Sequence, residues 1–542
     1  MWINVSTIGD LVDRQAELRE SVALVMSGVS STYPELSTQS DEFAASLVGL
    51  GVRPGDKVGI LMHNCLDFVL ALLAAAKIGA VAVPINGRFK AHDASYVISH
   101  ADVTVLLTAA DPRGTDYPEL VRRIFAAESG EGAALDFTAA PTISHVVSLT
   151  NDIEGFLTRK DFERAGADVT RADVKTLQSR VRVRDIALLM YTSGTTARPK
   201  GCLLTHEALT RHGEKVARTR FMLTPSDGFW DPLPLFHCGG LVPMLGCFSV
   251  GAKYCHPGHF DAGEALKTIH DERCTVLYPS FEAIWLPVIE HPDFEKTDLS
   301  HVRLIQNIAT PERMAQFEAR MPWARQVTSY GSTECATNLT MGRAEDPFEI
   351  RVRTLGQPVE GMEVKIVDPE TGVEVPTGTM GEMCFRGYSS FEGYYKEPEQ
   401  TAAMFDADGY FHSGDRACMD EDGNMIYGGR LKDMLKVGGE NVAAIEIEDF
   451  LTRHPAVRIA QVVGVPDDRY GEVAAAFVEL VTGQRASAED LISFCTGTIA
   501  SYKVPRHVRF VTEWPMSGTK VRKVDLKAEL TAELSRSVTA KA

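Results

Sequence analysis

At 542 residues the chain is too long for one ordinary hydrophobic core, so two or more domains are expected. Its 73 Asp and Glu against 55 Lys and Arg give a formal charge of −18, which argues against a nucleic-acid or anionic-membrane partner. Anionic ligands must then be met by local cations.

The hydrophobic fraction of 44% and the charged fraction of 24% are those of a globular protein. Ten cysteines are scattered without a C-x-x-C pair, several in apolar runs (Cys202, Cys247, Cys384). Buried free thiols in a reducing cytosol fit them better than disulfides or zinc. The start, Met1 to Ser6, has no basic n-region, and the apolar stretch Phe68 to Ile85 is broken by Lys77, Gly79 and Pro84. It reads as a core helix followed by a strand, so the expectation is a cytoplasmic protein without a membrane span.

In chain order, Ile8 to Glu20 has helical periodicity, and Glu35 to Leu50 is a second amphipathic helix closed by Gly51. Arg53-Pro54-Gly55-Asp56 is a turn, followed by a short buried strand from Lys57 to Met62. Helix and strand then alternate through Val83 and again at Val103 to Leu107, which predicts parallel strands with crossover helices, an α/β fold. Residues 109–180 are polar, acidic and less periodic, and yield only a strand near His145 to Leu149.

Ile186 to Met190 is a buried strand that breaks into Thr192, Ser193, Gly194, Thr195 and Thr196, then Arg198-Pro199-Lys200-Gly201. Closely spaced backbone N–H groups, hydroxyls and one fixed cation suit a polyphosphate. The chain has no Gly-Lys dipeptide, so this is not a Walker A loop, and no G-x-G-x-x-G occurs. The segment resembles the phosphate-binding signature of the adenylate-forming superfamily, which includes acyl-CoA synthetases, peptide-synthetase adenylation domains and firefly luciferase. The usual form there is T-S-G-T-T-G-x-P-K-G. Ala197 stands where that pattern has its third glycine.

Further segments follow in the family's order. In Leu233-Pro234-Leu235-Phe236-His237-Cys238-Gly239-Gly240, the resemblance puts His237 at the junction of acyl pocket and thiol tunnel. A strand (Thr275 to Tyr278), a helix (Phe281 to Glu290) and a strand (Val302 to Gln306) lead to Asn307-Ile308-Ala309-Thr310-Pro311, where the family has a small Gly-Gly-Ala-Pro stretch. Ile308 in place of glycine narrows or reshapes the cavity. Phe281, Ile308, Ala309, Cys335 and His237 are the expected apolar acyl pocket.

Tyr330-Gly331-Ser332-Thr333-Glu334 matches the Tyr-Gly-x-Thr-Glu motif. Tyr330 offers a flat face for adenine, Gly331 allows close backbone approach, Thr333 can donate to the α-phosphate, and Glu334 is a hard oxygen ligand for Mg²⁺. From Gly356 to Tyr410, short alternating strands (Val364 to Val367, Gly381 to Arg386) suggest a small antiparallel barrel or sheet. In Phe411-His412-Ser413-Gly414-Asp415 and Tyr427-Gly428-Gly429-Arg430, Asp415 is the ribose candidate, Arg430 reaches ribose or α-phosphate, and Tyr427 joins the nucleotide set.

Lys432 falls at the family's hinge, and Lys436, Gly438 and Gly439 resemble the glycine-rich loop that lines the pantetheine tunnel. Near the end, Ser517-Gly518-Thr519-Lys520 carries one residue more than the family's Gly-Lys; Lys520 is taken as the adenylation lysine, with Lys523 as the alternative. The catalytic set is therefore Lys520, Glu334, Thr333, His237 and Lys200.

The resemblance implies a large N-terminal domain (1–431) of two βα-layered subdomains plus a small β-barrel, and a small mobile α+β C-terminal domain (432–542). It implies an AMP-forming carboxylate:CoA ligase using ATP, Mg²⁺ and CoA, with small-molecule partners and a homodimer as a further expectation. The Thr-Thr-x-Arg-Pro-Lys-Gly variant, the Asn-x-x-x-x-Glu segment from Asn307 and the Tyr-Lys-Val-Pro stretch also resemble the carnitine/crotonobetaine-CoA ligase branch. Medium-chain, alicyclic, aromatic, carnitine-like and steroid side-chain acids all stay open. The alternatives are an adenylating enzyme that loads a carrier protein and a non-catalytic nucleotide-binding relative.

Overall fold

The computed structural model describes residues 6–126, 135–192, 199–437, 440–467, 470–517 and 520–539. Two compact units emerge: Met1–Glu363 with Arg386–Phe411, and Val364–Phe385 with His412–Ala542. The division falls upstream of Lys432 and groups most of the small sheet with the C-terminal residues.

The first unit is built on two large sheets. One has eight strands in the order Gly393–Tyr394, Lys200–Thr205, Ile186–Thr192, Val81–Pro84, Lys57–Leu61, Val103–Thr108, His145–Ser148 and Leu157–Thr158. From Ile186–Thr192 onward every pairing is parallel, while Lys200–Thr205 and Gly393–Tyr394 add antiparallel at the edge. The other has seven strands, with Leu304–Ile308 and Cys274–Phe281 near one edge and the hairpin Val22–Met26/Val29–Thr32 at the other. Both sheets are covered by helices, as parallel strands require. Helix Leu66–Lys77 is buried along its length from Phe68 to Lys77, which explains its unbroken apolar sequence.

Helix starts follow local chemistry. Thr7/Asp10, Thr32/Glu35, Thr158/Asp161 and Thr170/Asp173 each form a reciprocal capping box that satisfies two otherwise orphaned N–H groups. Three helices in the less periodic 109–180 region (Tyr117–Ile124, Arg159–Ala165, Arg171–Gln178) are short, and Asp116 caps the first.

The second unit holds a sheet of Met362–Val367, Gly381–Gly387, Phe411–Met419 and Met425–Arg430. A second sheet combines Glu440–Ala443, Met434–Val437, Gly471–Leu480 and Val457–Asp467, with His507–Phe510 added parallel to Gly471–Leu480. Its core is Ile447, Leu451, Val462, Val465, Ala476 and Leu491. None of the ten cysteines is in a disulfide, and nine of them are buried. Among the described residues no helix is long and apolar enough to cross a membrane.

One ionic cluster ties four helices of the first unit together. The Lys77 ammonium, fully buried, donates to Asp13 (2.9 Å), Asp41 (2.5 Å) and the Ser37 carbonyl (3.1 Å). Lys175 bridges the same two aspartates, and Arg171 binds Asp41 at 2.8 Å. Burial raises the Asp13 carboxyl, but attraction to Lys77 and hydrogen bonds from Lys175, Ser37 and Lys77 overcome it and bring the pKa down to about 2. Lys77→Met leaves the aspartates short of their central cation, and a urea-unfolding midpoint corresponding to a loss of about 3 kcal/mol is expected. Because Asp13 titrates lower folded than unfolded, its contribution is complete above pH 4 and is lost as pH falls toward 2. Asp13→Asn is therefore expected to flatten the pH dependence of stability in that window, measured by unfolding at stepped pH.

Candidate active site

Strand Ile186–Thr192 and strand Lys200–Thr205 form an antiparallel hairpin whose last registered pair is Thr192 with Lys200. Residues 193–198 at its tip, including Ser193, Gly194, Thr195 and Thr196, lie outside the described residues. The hairpin nevertheless fixes both flanks: Thr192 Oγ1 donates to the Lys200 carbonyl at 3.5 Å. Gly393–Tyr394 adds as a third strand, with Tyr394 opposite Cys202. That places the Lys200 ammonium 5.0 Å from the centre of the Tyr394 ring.

Tyr394 in turn donates its hydroxyl to Glu334 Oε1 at 2.9 Å, and the Phe391 N–H donates to the Glu334 carbonyl at 2.9 Å. Glu334 is thus gripped by side chain and backbone at the 3₁₀ turn Thr333–Cys335. Burial, then the Glu334 charge, push the Tyr394 phenol well above its ordinary pKa, so it stays a donor. Sequence reasoning does not single out Tyr394. Its one signal is the Gly-Tyr-Tyr run, which carries no motif chemistry by itself.

Gly331 is required by the fold. Strand Ser329–Ser332 pairs with Thr337–Met341 through an irregular register beside Gly331, and a Cβ there would sit 1.5 Å from the Thr337 carbonyl oxygen. The close approach expected of this glycine is made by the chain's own backbone. Ala336 and Thr337 adopt φ of 58° and 107°, and for a β-branched residue the latter is strained. Tyr330 is half-buried and Gly331 exposed on this strand.

The expected apolar wall divides. Phe281 and Ile308 are paired neighbours at the ends of strands Cys274–Phe281 and Leu304–Ile308, and Ile308 is 39% exposed. Ala309 packs partly buried against the core beneath. Cys335 is fully buried, its sulfur 3.3 Å from the Ser332 carbonyl and 3.2 Å from that of Thr337, with burial raising its pKa to about 11. It supports the turn as a protonated thiol. His237 is the N-cap residue of helix Cys238–Val250, with its ring 4.9 Å edge-on from Phe236. The glycines after it let this helix start close in: a Cβ at Gly240 would meet the Leu233 carbonyl at 2.4 Å.

In the second unit, Asp415 and Arg430 are registered partners on adjacent strands. Arg430 Nε lies 3.3 Å from Asp415 Oδ1, and the Tyr427 hydroxyl donates to the same oxygen at 3.4 Å. Three of the expected nucleotide residues are therefore one cluster. Lys432 follows in the 3₁₀ turn Leu431–Asp433, its ammonium lowered by desolvation and by Arg430 against Asp433 and Asp415. Lys436 is exposed, and its N–H donates to Glu472 Oε2 at 2.9 Å; Gly438 and Gly439 lie outside the described residues. The Lys520 backbone pairs with Ser517 in a small hairpin, while its side chain is outside the description. Lys523 is ion-paired to Glu448 at 2.6 Å, and Glu448 Oε1 also accepts the Val462 N–H.

Comparison with known proteins identifies the family of the chain. A family model described as AMP-binding enzyme matches residues 12–395, and one described as AMP-binding enzyme C-terminal domain matches residues 446–520. The chain belongs to the adenylate-forming, AMP-binding enzyme family. It is 36% identical over 539 residues, covering 98% of both chains, to YngI of Bacillus subtilis (strain 168), provisionally named an acyl-CoA synthetase. It is 30% identical to the medium-chain acyl-CoA ligase ACSF2, mitochondrial, of Bos taurus, covering 99% of this chain and 89% of that one. Among solved structures, the anthranilate CoA ligase AuaEII in complex with anthranoyl-AMP superposes with a TM-score of 0.84 at 26% identity, covering 99% of each chain. As an adenylate-forming enzyme with acyl-CoA synthetase and ligase relatives along its whole length, the protein is an ATP-dependent acyl-CoA ligase.

Tyr394→Phe removes the donor that orients Glu334 while keeping the ring beside Lys200. A hydrogen bond to a charged group is worth about 1.5–3 kcal/mol, so ATP–pyrophosphate exchange is expected to fall roughly ten- to a hundredfold with unchanged circular dichroism.

Proposed function

We propose that the protein activates a medium-chain, apolar monocarboxylic acid and transfers it to the thiol of CoA. The observation that carries the substrate reading is Ile308, a branched apolar side chain 39% exposed at the ends of two sheet strands beside Phe281. Such a wall favours an acyl chain over a charged or carnitine-like group, which would lose hydration there without a polar partner. The name of the Bos taurus relative, a medium-chain ligase, points the same way.

In the first half-reaction a carboxylate oxygen attacks the α-phosphorus of ATP and pyrophosphate leaves. No covalent bond to the protein is needed, so catalysis consists of positioning and of neutralising charge on phosphate oxygens. Lys200 and the hydroxylated loop before it are assigned to the phosphates, with Thr333 donating to the α-phosphate. Glu334 with the Thr333 hydroxyl is a hard oxygen donor set that suits Mg²⁺, which when bound offsets phosphate charge. Asp415 is assigned to the ribose hydroxyls, with Arg430 and Tyr427 fixing its carboxylate, and Tyr330 to the adenine face.

Lys520 is assigned to the adenylation step. The Lys523–Glu448 ion pair supports this choice, since Lys523 is already engaged in holding helix Lys523–Thr539 to strand Val457–Asp467 through Glu448. In the second half-reaction the CoA thiolate attacks the acyl carbonyl and AMP leaves. Lys436 with Gly438 and Gly439 is assigned to the pantetheine passage, His237 to its junction with the acyl pocket, and Lys432 to the hinge between the two steps.

The test is AMP and pyrophosphate release from Mg·ATP across acids of graded length, with and without CoA. Octanoate-sized acids are expected to drive CoA-dependent AMP release, while carnitine and short dicarboxylates do not; a reversed order would remove the substrate reading. Lys520→Ala is expected to lower adenylation by about 10²–10³ while preformed acyl adenylate is still converted to thioester. Ile308→Gly is expected to raise kcat/KM for bulkier acids relative to octanoate by about tenfold, the effect of one or two methylenes of space.

A further inference from the structure

The second unit carries a cluster of metal-ligating side chains that the ligase reaction does not use. Glu382 and Cys384 occupy alternate positions of strand Gly381–Gly387, so their side chains share one face of the sheet. His412 stands on the neighbouring strand Phe411–Met419. His412 Nδ1 lies 2.8 Å from Glu382 Oε2 and 3.5 Å from Cys384 Sγ, and one donor atom from each of the three falls within 4.8 Å of the others. We propose that Glu382, Cys384 and His412 form a binding site for a zinc-type divalent ion.

The donor set decides the ion. One thiolate, one imidazole and one carboxylate suit Zn²⁺ and its probes Co²⁺ and Cd²⁺, whereas Mg²⁺ takes oxygen ligands and would reject the sulfur. The 3.5 Å spacing of His412 Nδ1 and Cys384 Sγ fits without movement, while the 2.8 Å contact of Nδ1 with Glu382 Oε2 opens by about 0.5 Å on binding. Zinc bonds of about 2.3 Å to sulfur and about 2.0–2.1 Å to nitrogen in a tetrahedron put the two donor atoms roughly 3.5 Å apart. Three protein ligands leave a fourth position, and the side chain of His412, 28% exposed, gives the ion an entry path.

An outer shell is also present. Glu382 Oε1 accepts the Gly414 N–H at 2.9 Å, and the Ser413 hydroxyl donates to the Met383 carbonyl at 2.5 Å. The Gly414 N–H thus orients the ligating carboxylate, and the Ser413 bond ties the two strands beside it, the usual kind of support for such sites. Binding is an exchange of protons for metal. The Cys384 thiol proton is released to solvent, and the His412 ring carries its remaining proton on Nε2 so that the Nδ1 lone pair faces the ion. No C-x-x-C pair announces this site, because its donors come from alternate positions of one strand and from the next strand. The Glu382 anchor reaches Gly414, the residue before Asp415, so occupancy tightens the turn that carries the ribose candidate.

The experiment uses the full-length protein stripped of metal and titrated with Co²⁺. One equivalent is expected to produce a thiolate-to-cobalt charge-transfer band. Cys384→Val, a buried apolar exchange, is expected to abolish the band with unchanged circular dichroism, and Glu382→Gln to weaken binding about tenfold or more. In parallel, Zn²⁺ is expected to raise the Tm of the unaltered protein and leave that of Cys384→Val unmoved. A protein that shows no band at stoichiometric Co²⁺, or a Cys384→Val variant that keeps it, overturns the proposal. If Cys384→Val fails to fold, His412→Gln takes its place: a weakened and shifted band supports the site, and an unchanged band overturns it. The outcome is independent of which acid the enzyme activates.

Discussion

A phenol held between a cation and a carboxylate organises the first unit. Tyr394 can touch both Lys200 and Glu334 only because three separate stretches of chain meet: the hairpin after Ile186–Thr192, the edge strand Gly393–Tyr394 and the turn at Thr333–Cys335. Each stretch is anchored by its own constraint. The hairpin is fixed by six registered pairs ending at Thr192 and Lys200, and the turn by the backbone squeeze at Gly331 and by the buried Cys335 thiol. Preorganising opposite charges at fixed separation is what a phosphoryl-transfer site needs, since charge stabilisation then costs no rearrangement as the reaction proceeds.

Much of this can be read from the chain, for identifiable reasons. The motifs of the ligase are short and local, so Tyr330 to Glu334 and Asp415 to Arg430 stand out, and the structure gathers Asp415, Tyr427 and Arg430 into one cluster. Tyr394 is illegible because its partner Glu334 lies 60 residues away in sequence and Lys200 farther still. Strands Val22–Met26 and Val29–Thr32 escape a local reading for a similar reason: the first pairs with Lys253–His256, in a distant part of the chain. The helices at Arg159–Ala165 and Arg171–Gln178 are a different failure. Their Thr-x-x-Asp capping signals are present, but the segments are too short to show periodicity.

The acidic composition suggests that cations are placed deliberately, and the buried Lys77 illustrates this away from any ligand. It sits among Asp13, Asp41 and the Ser37 carbonyl, which compensate the burial of its charge at the end of helix Leu66–Lys77. Lys523 plays the same part in the second unit, where Glu448 engages both the lysine and the Val462 backbone. Such pairs contribute little as isolated contacts, yet removing one partner is costly, which ties helix packing to charge placement.

Ile308 is the last residue of its strand and projects from the sheet, whereas Gln306 and Asn307 just before it are fully buried. Substituting an exposed strand end costs little stability, while the two residues behind it are locked into the sheet. The position is therefore a low-cost variable in an otherwise fixed framework, open to single substitutions without endangering the fold.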